Sequence, residues 1–314
     1  MAIIQFTQLA CISALSTLLT TWVATTAFAD TIKIGLVDFA LRHDTLKRFE
    51  HVKVRSITFE TSEMMAARFQ SNKNAKGHAD VMAAALIESF QSAAPGNDLE
   101  LYVASPFLED PETGRQSIDF DQLEFAYDWF ARQGVKIVAQ TFVSRDNQNL
   151  ADAIKAASKE GLVLLTSAGN GPRQNVVPPF PASYDGAIGI STTGLRDELN
   201  DEANRNDYVR YSVPAPAISP MKIRQDPEAA ALEGSSRATV TAAGLLGALS
   251  TRYRMDTREE VVTVLDTLAQ PVADFGDAAY GVGVLVQDTI AKHLKAAVAH
   301  PHLRRLLRDD RMSA

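Results

Sequence analysis

The sequence predicts an α/β protein, a three-layer α/β/α arrangement with a mainly parallel central sheet, and three observations predict it. Short β-branched runs alternate along the chain with stretches of helical apolar spacing. Glycines stand just past the ends of two of the helical stretches, where helices commonly stop. Isolated polar residues fall at strand ends or helix starts, where open parallel sheets place their sites.

In order, Thr31 to Val37 (TIKIGLV) reads as the first core strand and delivers Asp38 at its end. Residues 78–92 carry helical spacing with an Ala-rich face, and Leu99 to Ala104 returns to strand character. Asp121 to Gln133 reads as a helix closed by Gly134, followed by a strand over 135–139. A helix over 149–160, closed by Gly161, and a strand over 162–166 repeat the pattern. Ala187 to Ser191 makes another strand, and the polar, Pro-containing stretch 195–233 reads as irregular surface. Helices follow over Ser236 to Ser250 and near 256–269. The last helix, about 286–308, is amphipathic and basic, with a solvated face expected to pack on the body. Without an internal repeat or a long linker, residues 30–314 are expected to form one domain.

The first 29 residues contain no charged side chain and end in Ala27-Phe28-Ala29 before Asp30. That composition predicts a signal peptide cleaved after Ala29, hence a secreted or periplasmic protein with no stable membrane span after cleavage. An n-region without Lys or Arg leaves an uncleaved anchor as the alternative. The single cysteine, Cys11, lies inside this segment, so the mature chain would have no disulfide, no thiol nucleophile and no Cys-ligated zinc. A net charge of −7 with both signs interspersed and few aromatics gives nucleic acid nothing to bind. No phosphate loop, dinucleotide fingerprint or metal spacing supports a cofactor, which argues against a small-molecule or redox domain.

The candidates for chemistry are Asp38, His78, Asn170 and Ser236. Each alone has an ordinary reading. His78, after Gly77 at a helix start, suits a capping or surface role; Asp38 suits an N-cap or surface carboxylate. Ser236, in Gly234-Ser235-Ser236-Arg237-Ala238, suits a helix N-cap, and Asn170, in Ser167-Ala168-Gly169-Asn170-Gly171, suits a turn.

Taken together, these residues and their surroundings resemble the subtilisin-like protease family over nearly all of residues 31–288. Gly35-Leu36-Val37-Asp38 resembles its aspartate block, and Gly77-His78-Ala79-Asp80-Val81-Met82-Ala83-Ala84 its histidine helix. Ser167-Ala168-Gly169-Asn170 is similar to its oxyanion block, and Gly234-Ser235-Ser236-Arg237-Ala238-Thr239 to its Gly-Thr-Ser-Met-Ala segment. Phe180-Pro181-Ala182 and Tyr280-Gly281-Val282-Gly283 fall where the family has its Tyr-Pro-Ala and final Gly-x-Gly. The order is the family's, with separations of 40, 92 and 66 residues, of which the last two match its spacing.

The resemblance implies a serine endopeptidase acting through an acyl-enzyme on peptide or protein substrates. Ser236 would be the nucleophile, His78 the base, Asp38 the group that holds the imidazole tautomer, and Asn170 with the Ser236 N–H the oxyanion donors. Gln140, Thr141 and Phe142 would lie along the substrate, with Phe142 filling a pocket that glycine keeps open in the family.

Several positions depart from the pattern. Phe39-Ala40 replaces a small hydroxyl residue and Gly, bulk expected to tilt the carboxylate or narrow the cleft. Asp80 is expected to add negative charge near His78 and raise its pKa. Arg237, in place of Met, is expected to touch a substrate carboxylate or a neighbouring acid, with a surface arginine as the alternative. Only eight residues separate Ala29 from Asp38, which leaves no room for the family's pro-segment. No EF-hand loop or carboxylate cluster allows one of the family's calcium sites to be placed. The rival reading is a subtilisin-fold protein that binds peptide or protein with little or no turnover.

Overall fold

The computed structural model describes residues 31–41, 49–58, 75–109, 113, 116–170, 179–193, 203–204, 207–214, 234–271, 281–296 and 299–308. The expected signal peptide, its cleavage site, Tyr280 and most of 195–233 lie outside them.

The strands are β1 (Ile32–Val37), β2 (Val52–Thr58), β3 (Leu99–Ser105), β4 (Phe107–Glu109), β5 (Gln116–Ile118), β6 (Ile137–Gln140), β7 (Val163–Ser167), β8 (Ala187–Thr193), β9 (Val209–Pro214) and β10 (Gly283–Val284). The helices are α1 (Ala75–Ala93), α2 (Phe120–Arg132), α3 (Gln148–Lys159), α4 (Ser235–Ser250), α5 (Arg258–Leu268) and α6 (Gln287–Lys295). Eight strands form one sheet in the order β10-β9-β8-β7-β6-β1-β3-β2, with every pairing parallel. β4 and β5 form a separate antiparallel pair.

Helices cover both faces, as a parallel sheet requires. In β1, Ile32, Ile34 and Leu36 point into a core shared with α1, α4, α5 and α6, while Val37 points into a second core shared with α2 and α3. The alternation of two buried faces is why this strand reads as a continuous apolar run. Helix starts are set locally: Asp119 caps α2 by accepting from the Gln122 N–H, and Asn147 caps α3 from the Asn149 and Leu150 N–H groups. Thr257 and Glu260 form a reciprocal capping box on α5.

α1 and α4 pack in close contact because of a glycine. A Cβ at Gly244 would lie 2.4 Å from the Leu86 carbonyl oxygen, so any side chain there pushes the two helices apart. This contact matters for the site, because α1 carries His78 and α4 carries Ser236.

Two stretches differ from the sequence expectation, and a third, β2, carried none. β9 runs through the stretch expected to be irregular surface, with Tyr211, Ser212 and Val213 all buried. Polar residues mask it: the Tyr211 hydroxyl is satisfied by Asp266 at 2.5 Å, so a tyrosine serves in a core strand. β2 alternates apolar and polar residues on the sheet edge, where half of each strand faces water. The expected single helix over 286–308 is instead α6 and a 3-10 helix over Pro301–Leu306. Ala296 is extended (φ −67°, ψ 136°), and His300 is extended (φ −56°, ψ 133°) because the ring of Pro301 disfavours the α conformation in the residue before it.

Candidate active site

Strand order reverses between β1 and β6, the place where open α/β sheets form a crevice beyond the strand C-termini. Asp38 follows β1, Thr141 follows β6, and Asn170 lies just past β7. The N-terminus of α4 brings Ser236, and α1 brings His78, to the same end. Five residues far apart in sequence thus reach one end of the sheet, because parallel strands place their C-termini on one edge.

Asp38 is buried, 1% exposed, and accepts hydrogen bonds on both oxygens. His78 Nδ1 lies 2.8 Å from Oδ1 and 2.9 Å from Oδ2. The Phe39 N–H donates to Oδ1 at 2.6 Å, and the Thr141 hydroxyl donates to Oδ2 at 2.6 Å. The carboxylate is therefore held in place by partners on both oxygens. With Nδ1–H donating to Asp38, the His78 Nε2 is the ring's basic nitrogen.

The His78 pKa is raised above its ordinary 6.5. Burial pushes it down, but the charge of Asp38 and the hydrogen bond to it push it up by more. Asp80, expected to add to this rise, has no resolved part in it; the acid responsible is Asp38.

Ser236 is the second residue of α4, after Gly234 and Ser235, and is partly exposed. Its hydroxyl donates to the Thr141 carbonyl at 3.1 Å. Among the described residues its backbone N–H has no partner, as expected in a first helical turn. Asn170 is exposed, and its Oδ1 accepts from the Ser235 N–H at 2.9 Å and the Ser235 hydroxyl at 3.0 Å. Ser235 Oγ also lies 2.6 Å from Ser167 Oγ. Both Ser235 donors reach the amide oxygen, so the NH2 is the part of the Asn170 amide that these contacts leave over. Gly234 allows the close approach: its φ of +121° and ψ of −171° suit glycine alone, and a Cβ there would lie 2.7 Å from Asn170 Oδ1.

Residues 30–283 match the subtilase family. The chain belongs to that family. The subtilase is 26% identical over 172 residues to the minor extracellular protease Epr of Bacillus subtilis (strain 168), covering 53% of this chain and 26% of that protein. It is 29% identical over 125 residues to thermitase of Thermoactinomyces vulgaris, covering 40% of this chain and 43% of that one. The matched regions thus span less than half the length of either relative. Solved structures of similar fold include the prenylagaramide maturation protease PagA, with a TM-score of 0.59, 16% identity and coverage of 84% and 93%. The self-cleaved protease domain of PatA has a TM-score of 0.60, 14% identity and coverage of 84% and 96%.

The three residues expected along the substrate have other partners in this subtilase. Gln140 is fully buried; its Oε1 accepts from the Tyr127 hydroxyl at 2.7 Å, so it offers a ligand no surface. Thr141 is 8% exposed and joins the two halves of the site, with its hydroxyl on Asp38 and its carbonyl on Ser236. Phe142 is 7% exposed and packs edge-on against Phe107. β-strand alternation explains the split, since successive side chains after β6 point to opposite sides of the sheet.

Arg237 is 6% exposed and is therefore not a surface arginine. It lines a cavity of about 230 Å³ with Glu88, Ser89, Thr241 and Gln287, between α1, α4 and the start of α6. Glu88 is the acidic residue among those lining that cavity. Ser235 and Ser167 carry no expectation from the sequence reading, although Ser235 adjoins Ser236 in the same helix start. Among the described residues no cluster of His, Cys, Asp or Glu could hold a metal, and no helix is long and apolar enough to cross a membrane.

Proposed function

We propose that this subtilase is an exported serine endopeptidase that cleaves peptide bonds through an acyl-enzyme. The observation that carries this reading is the two-oxygen contact of His78 Nδ1 with buried Asp38, at 2.8 and 2.9 Å. A histidine fixed at Nδ1 by an ionised acid is oriented to accept a proton at Nε2. In the reaction Ser236 Oγ leaves the Thr141 carbonyl, transfers its proton to Nε2 and attacks the substrate carbonyl. The Asn170 NH2, the free Ser236 N–H and the α4 dipole stabilise the resulting oxyanion. His78, now protonated, gives the proton to the leaving amine, and water hydrolyses the acyl-enzyme by the same steps.

Export is supported by the uncharged first 29 residues ending in Ala-Phe-Ala. The exported chain would start at Asp30 in mass spectrometry; a start at Met1 would favour an anchor.

One observation favours the second reading, a peptide-binding protein with little turnover: Ser236 Oγ is hydrogen-bonded to Thr141 O instead of to His78. Fluorophosphonate labelling of the mature protein separates the two. The peptidase reading requires labelling of wild type that is lost in both Ser236→Ala and His78→Ala. A folded wild type that does not label would sink the peptidase reading and favour the binding protein.

A further inference from the structure

Resting on the peptidase reading, we propose that Phe39 sets substrate selectivity by closing the space beside His78, so that the substrate residue lying there must be glycine or alanine. Phe39 directly follows Asp38, and the hydrogen bond from its N–H to Asp38 Oδ1 at 2.6 Å fixes its backbone at the site. Its ring meets the His78 ring edge-on, with centroids 6.1 Å apart and planes at 86°. On another side it packs against Phe107, with centroids 4.6 Å apart. Phe107 in turn packs edge-on against Phe142 at 5.8 Å.

Only Phe39 of these three is partly open to solvent; Phe107 and Phe142 are 6% and 7% exposed. The ring is also packed against both hydrophobic cores. It is therefore a wall backed by two buried rings, and not a mobile rim that a ligand can push aside. A substrate must contact His78 to react, and Phe39 is the aromatic wall beside that histidine. A glycine or alanine there needs no space that the ring occupies. A leucine or phenylalanine requires the Phe39–Phe107 contact to break, so selectivity arises from exclusion.

The test compares kcat/KM for a positional-scanning series of peptides, each position varied between glycine and leucine, in wild type, Phe39→Leu and Phe39→Ala. The readout is the leucine-to-glycine ratio at each position, which is insensitive to a general loss of rate. At one position wild type is expected to favour glycine, and Phe39→Ala to raise the ratio by about tenfold or more, the scale set by a one-side-chain change in pocket volume. Phe39→Leu should fall between them. The same peptide pairs are bound by calorimetry to Ser236→Ala and to Ser236→Ala/Phe39→Ala, which reads the wall without turnover. If no variant cleaves but binding shows the same relaxation, the peptidase reading fails and the wall stands. Ratios unchanged at every position in folded Phe39→Ala would overturn the proposal. So would a wild-type preference for leucine at one position that Phe39→Ala abolishes, because the ring would then be a contact surface and not an excluding wall.

Discussion

Replacing Gly234 by alanine tests the join between fold and site. At φ +121° and ψ −171° the backbone lies in a region nearly confined to glycine, and a side chain there costs of order 1–3 kcal/mol. The added methyl would also lie 2.7 Å from Asn170 Oδ1 and 2.9 Å from Nδ2. Relief requires the amide to move off Ser235 and give up two hydrogen bonds, each worth about 1 kcal/mol net. Together these give roughly 3–5 kcal/mol, and about 2–4 °C of melting temperature per kcal/mol predicts a drop of about 6–20 °C. Gly96→Ala supplies the control: Gly96 also has a positive φ, +80°, but a Cβ there meets nothing within 4 Å. It should cost only the backbone penalty, about 1–2 kcal/mol. Thermal unfolding of both variants and the fluorophosphonate labelling rate are the assays. Gly234→Ala should also label about a hundredfold more slowly, as expected when an oxyanion donor is displaced. A Gly234→Ala protein that melts with Gly96→Ala and labels at the wild-type rate would refute the reasoning.

The raised His78 pKa makes labelling increase with pH through a midpoint above 6.5, since only neutral imidazole accepts a proton. Asp38→Asn removes the charge but keeps the burial, so an imidazole NMR titration should move below 6.5; an unmoved midpoint would assign the shift elsewhere. Because the folded-state pKa of His78 is raised, the stabilisation from the pair is complete below about pH 6.5 and fades as pH rises through the folded value. Urea midpoints of wild type and Asp38→Asn should therefore converge toward high pH, and a constant gap would contradict the linkage. Gly244→Ala should destabilise by about 1–3 kcal/mol through the clash with Leu86 O, although alanine is the better helix former. A gain of about 1 kcal/mol in denaturant unfolding, the value helix propensity alone gives, would show that α1 and α4 are not in tight contact.

The alternation of apolar strands with helical stretches was enough to specify a parallel α/β sheet, because strands buried on both faces leave uninterrupted runs such as IKIGLV. It also placed Asp38, His78, Asn170 and Ser236 at strand ends or helix starts, which are local features, while their grouping as one set came from the family resemblance. β9 escaped because its core residues include Tyr211 and Ser212, which read as surface residues until Asp266 is known to lie opposite the Tyr211 hydroxyl. The helix expected over 286–308 showed the reverse error, where amphipathic spacing continued past Ala296, at which α6 ends, and past His300, whose α conformation Pro301 disfavours.

Partnership was decided only in three dimensions. The sequence marks Thr141 as one of three substrate residues, whereas folding turns its hydroxyl to Asp38 and its carbonyl to Ser236. Asn170 is legible as a family residue, but the Ser235 contacts made by its amide oxygen are not. Periodicity and spacing along a chain record which elements form and which edge of a sheet they reach. Hydrogen-bond partners depend on atoms that only the packing of α1, α4 and the ends of β1, β6 and β7 brings within 3 Å.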